Sequence, residues 1–516
     1  MTGVTSISFL LFFAVLFLVY YGLPGKLRWG VLLAGSLFFY TACAVPYTIV
    51  YLLASVLTVY PAARYFAKAD EAAREAGGSA AEAEKRKKRV LILALAVNFG
   101  ILATLKYRNL LFQPLQLLGV GEGVSLPALA APLGISFYTL QITGYLLDCY
   151  WGTCKAEKNP GRLLLFTCYF PQMVSGPISR YDALSGTLFA PNRFDTERTA
   201  RGVQRILWGF FLKLVISERL AVIVNAVYDA PETYTGLYVW AAAFAFILQL
   251  YTDFSGCMDI VLGVSECFGV TLPENFRMPF LACTTQEFWQ RWHITLGTWL
   301  KDYIMYPVLK SDLWYRMGTG IRKRWGKSLS RKIPTWAGLL ILWTAMGVWH
   351  GNDWKYVIGE GFWFWLLIVG GQICAPLFDK GIALFHINRA SWYWKWVQRL
   401  RTFVCFAVGM IFFRADSLRQ SFAMIRNGLL RWNTAILTGG LWELGLSKKD
   451  GAVLVLGLFL LLIVSLLREN GSMRERVARW PLPVRWAVWY LLFFAVLVTG
   501  FYGPSCDMSG FIYAQF

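Results

Sequence analysis

Three histidines, at positions 293, 350 and 386, are the side chains of this 516-residue sequence best suited to acid–base chemistry. His350 closes an apolar run in the order Trp349-His350-Gly351. An imidazole titrates near neutral pH and is a natural general base for a hydroxyl or a thiol. Gly351 indicates that the backbone turns or approaches another segment closely at this point. We therefore predict that His350 is a base. The alternative is a hydrogen-bonded histidine that caps a helix end.

His293 lies in a tryptophan-rich segment. If this segment is one helix, Trp289, Trp292 and His293 share a face, whereas Arg291 points elsewhere. The pattern predicts that His293 is a second catalytic group, a donor that orients a ligand, or a packing element. His386 follows in a less apolar link, and we predict that it is a surface residue.

Carboxylates within apolar sequence form a second unusual group, Asp148, Asp253 and Asp259. Buried charges need partners, and Lys213 or Arg291 are the candidates. We expect a structural polar network, with direct catalysis as the alternative. No metal site is predicted, because the spacing of the carboxylates and cysteines is not that of metal ligands. No nucleophile or nucleotide-binding motif occurs in the right context, and a base without a nucleophile suits direct transfer between two bound substrates.

The composition indicates what surrounds these residues. The chain is 57% hydrophobic and 16% charged, with a mean hydropathy of +0.48, which excludes an ordinary cytosolic enzyme. Apolar runs of the length that a bilayer core of about 30 Å requires recur from end to end. Several runs are short or interrupted by Gly and Pro, and irregular backbone at membrane depth must surround a cavity or be covered by protein. We predict an all-α integral membrane protein over residues 1–516, a single domain with about eleven transmembrane helices plus re-entrant and interfacial helices.

The net charge of +20 comes from Lys and Arg in short links between apolar runs, a pattern of cytoplasmic anchors and not of a nucleic-acid surface. Residues 68–89 are rich in Ala, Glu, Lys and Arg, and we predict a charged cytoplasmic loop that is helical or partly disordered. Leu300 to Lys332 is basic with interspersed Trp and Tyr, which is typical of a membrane interface. Its charge would attract the phosphates of a nucleotide.

Eight segments occur in a specific order: Pro132 to Tyr138, Phe170 to Ile178, Asp253 to Gly256 with Asp259, Leu272 to Phe276, Glu287 to Tyr303, Val348 to Gly351, Phe412 to Ala415, and Phe511 to Phe516. In this combination the chain resembles the membrane-bound O-acyltransferase (MBOAT) family, in particular the bacterial branch that contains the alginate O-acetyltransferase membrane subunit. The resemblance covers nearly the whole sequence.

The resemblance implies a many-helix fold around a central funnel in a bacterial plasma membrane. It also implies that His350 is catalytic and that His293 assists it. The acyl donor would be a cytosolic thioester and not a bound cofactor, and an extracytoplasmic SGNH-type partner protein would carry the acyl group onward. Trp349 and Trp292 are expected to exclude water from the thioester. Asp253, Asn275 and Arg291 are expected to bind substrate or to support the site.

We therefore expect an O-acyltransferase that passes an acetyl group from acetyl-CoA across the membrane, for O-acetylation of a cell-surface or exported polysaccharide. One alternative is D-alanyl transfer to teichoic acid from a carrier-protein thioester. The segments Phe412 to Ala415 and Phe511 to Phe516 favour the acetyl branch. An alternative of another class is a transporter or scaffold in which His350 only gates or packs. The ordered segments with both histidines in place favour the enzyme.

Overall fold

A computed structural model describes residues 4–76, 80–108, 110, 132–469 and 471–502. Within these ranges the chain forms helices joined by turns and loops, without a β-strand. Seven helical segments are long and apolar enough to cross a bilayer: Pro46–Ala72, Ala81–Lys106, Leu237–Cys267, Trp354–Ile373, Trp392–Arg414, Lys448–Arg468 and Leu482–Thr499. The prediction of an all-α membrane protein is confirmed.

Shorter apolar helices accompany these seven segments in the described part of the chain. Ile7–Gly22, for example, is uniformly apolar but only 16 residues long. A helix shorter than the hydrocarbon thickness can still span by local thinning of the bilayer, so length alone does not decide its position. The expected number of about eleven spans therefore stays a prediction.

The residue contacts group the described chain into two compact units. Among the described residues, the first unit contains the chain up to Gly209 together with Cys257–Pro273, and the second contains Phe210–Gly256 and residues 274–502. Helix Leu237–Cys267 contributes residues to both units. The single-domain prediction for residues 1–516 stays a prediction.

The first unit has the helices Ile7–Gly22, Gly25–Leu27, Arg28–Cys43, Pro46–Thr48, Ile49–Ala76, Ala80–Lys106, Ile135–Tyr150, Pro160–Cys168, Phe170–Met173, Tyr181–Leu188 and Thr196–Phe210. Two of the segments that carry the family resemblance meet here. Gly134 has a φ of +67°, and a Cβ on it would lie 1.9 Å from the carbonyl oxygen of Met173. Only glycine combines this backbone conformation with so close an approach.

The charged segment 68–89 forms the facing ends of two long helices, Ile49–Ala76 and Ala80–Lys106, in the part that the structure describes. Lys87 is buried, and its Nζ lies 2.7 Å from Oδ1 of Asp70 on the other helix. The described parts of this segment are helical, and the prediction of a cytoplasmic loop stays a prediction.

The second unit has the helices Phe211–Ser217, Glu218–Asp229, Leu237–Cys267, Pro279–Leu281, Thr285–Arg291, Ile294–Leu300, Lys301–Met305, Tyr306–Leu309, Asp312–His350, Trp354–Tyr356, Val357–Phe362, Trp363–Ile373, Ala375–Leu384, Trp392–Arg414, Leu418–Leu430, Ala435–Thr438, Gly440–Leu444, Lys448–Arg468, Met473–Ala478 and Leu482–Thr499. Among them, Phe211–Ser217, Lys301–Met305 and Val357–Phe362 are π-helical. Such wide turns inside helices are frequent at functional sites.

The helix Asp312–His350 is broken at Gly326, whose φ of +86° and ψ of 175° are not helical. Its two arms, residues 312–325 and 327–350, fold back on each other, and the indole Nε1 of Trp314 donates to the carbonyl of Pro334 at 3.0 Å. The basic stretch predicted as interfacial is therefore a helical hairpin. Tyr315 and Trp325 are exposed among its basic side chains, as an interface would require.

Candidate active site

His350 is the last residue of the helical arm 327–350, and its side chain is buried. Gly351 follows with extended backbone and ends the helix. A Cβ on Gly351 would lie 2.2 Å from Cε2 of Tyr356, so the chain can fold over the end of the helix only because no side chain stands there. The close approach predicted from Gly351 is confirmed.

Glu360 is the nearest charged partner that the structure gives His350. Nε2 of His350 lies 3.1 Å from Oε2 of Glu360, and both side chains are only 2% exposed. The carboxylate comes from the π-helical segment Val357–Phe362, between two glycines. A Cβ on Gly359 would lie 2.1 Å from Cβ of Phe412, and one on Gly361 would lie 3.0 Å from the carbonyl oxygen of Trp343. Because neither glycine has a side chain, this turn can pack closely against both helix Trp392–Arg414 and the helical arm 327–350.

Sequence reasoning missed Glu360. A signal was nevertheless present, because Glu360 is the only acidic residue of the apolar segment Trp354–Ile373 and stands between Gly359 and Gly361. An acidic residue in membrane sequence is a functional candidate by default. The contact between Glu360 and His350 cannot be inferred from their spacing in the sequence, since it depends on how the π-helical turn packs against the preceding helix.

His293 occupies a break between two short helices, Thr285–Arg291 and Ile294–Leu300. Its φ of 45° and ψ of 51° are left-handed, a conformation that a residue with a side chain adopts at a cost of about 1–2 kcal/mol. Trp292 is also non-helical. The prediction that Trp289, Trp292 and His293 share one helical face is therefore wrong, because Trp292 and His293 lie between two helices and outside the one that contains Trp289.

Asn275 fixes the orientation of the His293 ring. Its Oδ1 accepts hydrogen bonds from the backbone N–H and the hydroxyl of Thr295, at 3.1 and 2.9 Å, and lies 3.3 Å from Nδ1 of His293. Because Oδ1 can only accept, Nδ1 carries the proton and Nε2 carries the lone pair. His293 lies outside the seven candidate spans, and burial lowers the pKa of its imidazole from 6.5 to about 3. The ring is therefore neutral at physiological pH.

Trp349 contacts both imidazoles. Its ring centroid lies 5.5 Å from that of His293 and 4.9 Å from that of His350, with edge-on geometry in both cases. Phe413 lies 5.5 Å from the other side of His350, and Phe254 lies 4.9 Å from His293. Four of the residues singled out in the sequence, Asn275, His293, Trp349 and His350, are thus brought into one cluster.

The other three predicted site residues have different surroundings. Trp292 packs among Phe276, Phe288 and Phe406, with ring centroids 5.1 to 5.5 Å away. Arg291 pairs with Glu287 one turn earlier, at 2.6 Å. Asp253 is fully buried and pairs with Lys213, which also lies 2.7 Å from Glu218.

Asp253 thus has one of the two cationic partners that were expected. Lys213 is the partner of Asp253, and Arg291 is engaged elsewhere. In the first unit, Asp259 pairs with Arg205 at 2.8 Å. The segment Phe511 to Phe516, which contributes to the family resemblance, lies outside the described residues. Within the described residues, no three His, Cys, Asp or Glu side chains converge as metal ligands would.

The cluster can move protons in an apolar setting. It combines a buried imidazole and carboxylate with a second, neutral imidazole held by an amide, and aromatic rings cover both histidines. Together with the helices long enough to span a bilayer, these features define an integral membrane protein with a buried acid–base centre.

Comparison with known proteins gives the family. Residues 159–317 match the model of the MBOAT, membrane-bound O-acyltransferase, family. The chain is 31% identical to the probable alginate O-acetylase AlgI of Pseudomonas putida over 374 residues, 70% of each chain. It is 26% identical to the peptidoglycan O-acetyltransferase of Helicobacter pylori, over 66% of this chain and 64% of that protein. A third relative, the teichoic acid D-alanyltransferase of Bacillus subtilis, is 29% identical over 44% of this chain and 55% of its own.

The chain therefore belongs to the membrane-bound O-acyltransferase family. It is an O-acyltransferase, as the sequence predicted, and an integral membrane protein.

Proposed function

We propose that this protein passes an acetyl group from cytosolic acetyl-CoA across the membrane to a hydroxyl, for O-acetylation of a cell-surface or exported polysaccharide. The observation that carries the proposal is the buried imidazole of His350 at a helix end, enclosed by Trp349 and Phe413. A buried imidazole is suited to deprotonate a hydroxyl that attacks a thioester carbonyl.

The reaction needs one proton transfer in each direction. As the hydroxyl oxygen forms its bond to the carbonyl carbon, His350 takes the hydroxyl proton. As the carbon–sulfur bond breaks, His350 gives the proton to the departing thiolate. Positioned acid–base catalysis of this kind contributes about 10²–10⁴-fold to a rate. The aromatic enclosure excludes water that would hydrolyse the thioester.

His293 supports His350 from across the Trp349 ring. Asn275 holds its Nδ1–H tautomer, which places the lone pair of the ring on Nε2. We assign His293 an assisting role and His350 the role of the base. Trp292, Asp253 and Arg291 support the fold around them through the aromatic cluster and the ion pairs described above.

The names of the relatives support a polysaccharide as the final acceptor, because alginate and peptidoglycan are glycans that bacteria export. The resemblance to the polysaccharide-modifying branch supports a separate extracytoplasmic SGNH-type protein as the partner that receives the acyl group. The basic hairpin supports an anionic donor, since residues 313–332 contain seven Lys and Arg and no Asp or Glu.

D-alanyl transfer is the second candidate, and the Bacillus subtilis relative is the observation in its favour. The alignment with that protein covers 44% of this chain, against 70% for the alginate O-acetylase of Pseudomonas putida. We therefore favour acetyl transfer. The donor would decide between the two, because D-alanyl transfer starts from a carrier-protein thioester.

The test is reconstitution of the full chain in proteoliposomes with labelled acetyl-CoA and a candidate SGNH-type partner. His350→Ala is expected to lower acetyl transfer at least about 10²-fold. His386→Asn is the matched control, since His386 is exposed and asparagine tolerates its φ of 50°. A correctly inserted His350→Ala protein with wild-type transfer would refute the assignment. Transfer from a D-alanyl carrier protein, but not from acetyl-CoA, would establish the second candidate.

A further inference from the structure

We infer that Glu360 positions His350 and stabilises its protonated form, so that Nδ1 of His350 is the nitrogen that takes the proton from the attacking hydroxyl. The inference rests on the proposed function, because it assigns a partner and a reactive atom to the same base. It adds a residue that the sequence patterns did not single out.

The two side chains are close enough for a direct charge interaction. Nε2 of His350 lies 3.1 Å from Oε2 of Glu360, and a proton on Nε2 makes this contact attractive. If Glu360 is the carboxylate and Nε2 carries the proton, the ring is held as one tautomer. The lone pair is then on Nδ1. A carboxylate that orients a catalytic imidazole has the same role in the Ser-His-Asp triad.

Burial favours the uptake of a proton by the pair of His350 and Glu360. If Glu360 is ionised and His350 is neutral, the pair carries one negative charge in surroundings that leave both side chains 2% exposed. Uptake of the substrate proton at Nδ1 turns the pair into an imidazolium and a carboxylate, whose charges cancel. Because charge interactions are strong in a low-dielectric site, this neutralisation stabilises the protonated imidazole during the reaction. The proton later leaves with the thiolate, and Glu360 keeps its charge throughout.

Neighbouring contacts hold the two groups in place. Lys355 is buried, and its Nζ donates to the carbonyls of Phe413 and Ala415 at the end of helix Trp392–Arg414. The Phe413 ring is thereby fixed against His350 and lies 5.3 Å from that of Tyr356. Gly359 and Gly361 let the carboxylate reach the imidazole from the other side.

Other titratable and charged groups lie on the elements packed around the pair. Asp353, Lys355 and Tyr356 precede it on the connecting segment, Arg414 ends helix Trp392–Arg414, and His293 lies across the Trp349 ring. A change at Glu360 leaves all five in place. A shifted pH dependence in a Glu360 variant can therefore be assigned to the lost carboxylate.

The first test reads the tautomer without reference to activity. With only three histidines in the chain, ¹⁵N-histidine labelling of the full-length protein gives three imidazoles, which His293→Asn and His386→Asn assign. His350 is expected to show a protonated Nε2 and an unprotonated Nδ1 in the wild type, and to lose this preference in Glu360→Leu. A His350 ring protonated on Nδ1 in the wild type would overturn the inference.

The second test uses transfer kinetics in the reconstituted system. Glu360→Gln keeps a hydrogen-bond acceptor but removes the charge, so kcat is expected to fall about 10²-fold or more, with partial recovery in Glu360→Asp. The acidic limb of kcat/KM is expected to move to lower pH, because the base is weaker, whereas a merely structural role would leave the limb in place. Glu469→Gln, at a carboxylate that is 33% exposed and pairs with Arg399, is the control.

The outcomes separate the inference from the proposed function. The inference alone would be refuted if His350→Ala were inactive while Glu360→Gln were fully active with an unmoved acidic limb of kcat/KM. An active His350→Ala would sink the proposed function.

Discussion

The indole of Trp349 meets the imidazole of His293 edge to face, with ring centroids 5.5 Å apart and planes at 75°. Trp349 is also the residue before His350, and its ring lies 4.9 Å from that imidazole. One buried side chain therefore sets the positions of both histidines. Their mutual arrangement therefore depends on the shape of this shared aromatic ring.

Replacing Trp349 with alanine is expected to lower acyl transfer more than tenfold and to destabilise the protein by about 3–5 kcal/mol, because a buried indole leaves a cavity. Trp349→Phe should retain part of the transfer activity and part of the stability. Trp432→Ala, at an indole that is 74% exposed, is the matched control. Transfer assays and thermal unfolding in detergent measure the two effects. Wild-type transfer by a folded Trp349→Ala protein would show that the indole does not position the histidines.

Gly359→Ala is expected to reduce transfer strongly, although it adds only one methyl group. The new Cβ would lie 2.1 Å from Cβ of Phe412, so the turn that carries Glu360 must move. Overpacking of this kind costs about 1–3 kcal/mol. Gly370→Ala, on the helix that follows, has nothing within 4 Å of its new Cβ and should change neither transfer nor stability. Equal behaviour of the two variants in transfer and unfolding assays would contradict the close-packing argument.

Lys213→Met is expected to destabilise the protein by about 3–5 kcal/mol, because Asp253 is then a buried charge without its cation. The double variant Lys213→Met with Asp253→Asn should recover a substantial part of this loss. Arg431→Met, at a pair whose side chains are 54% and 76% exposed, should cost no more than about 1 kcal/mol. Thermal unfolding of the four proteins gives the comparison. A double variant as unstable as Lys213→Met would argue against a charge effect.

Acidification is expected to destabilise the fold through His293. Its pKa is about 3 when folded and 6.5 when unfolded, so the unfolded chain binds the proton first. Stability is therefore unaffected above about pH 6.5 and falls by about 1.4 kcal/mol for each pH unit below it, down to about pH 3. His293→Asn should show a shallower decline between pH 7 and pH 5 in thermal unfolding. Parallel wild-type and variant curves would contradict this contribution.

The helices were predictable because apolar runs of sufficient length have few other structures open to them in a bilayer. The apolar run from Trp486 to Phe501 of the sequence lies within and just beyond helix Leu482–Thr499. The charged ends of Ile49–Ala76 and Ala80–Lys106 continue their apolar helices. Gly326 and His293 were not predicted as breaks. A periodic pattern continues through a single left-handed residue, so periodicity cannot detect it.

The candidate site was predicted in part. His350, His293 and Trp349 stand out because ionisable groups and tryptophans are informative in apolar sequence. Glu360 was missed because its contact with His350 follows from tertiary packing at two glycines. The pairing of Arg291 was predictable in principle, since Glu287 lies four residues earlier on the same helix. The partner of Asp253 is distant in sequence, and two cations were equally plausible.

The left-handed backbone of His293 determines which substitutions isolate its chemistry. Asparagine visits this conformation readily, whereas alanine does so only at an energetic cost. Alanine at position 293 would thus remove the imidazole and also favour a different path for the chain between Trp292 and Ile294. Asparagine would remove the ring and leave that path intact. The difference in transfer activity between the two variants therefore measures how much of the loss in alanine comes from the changed backbone.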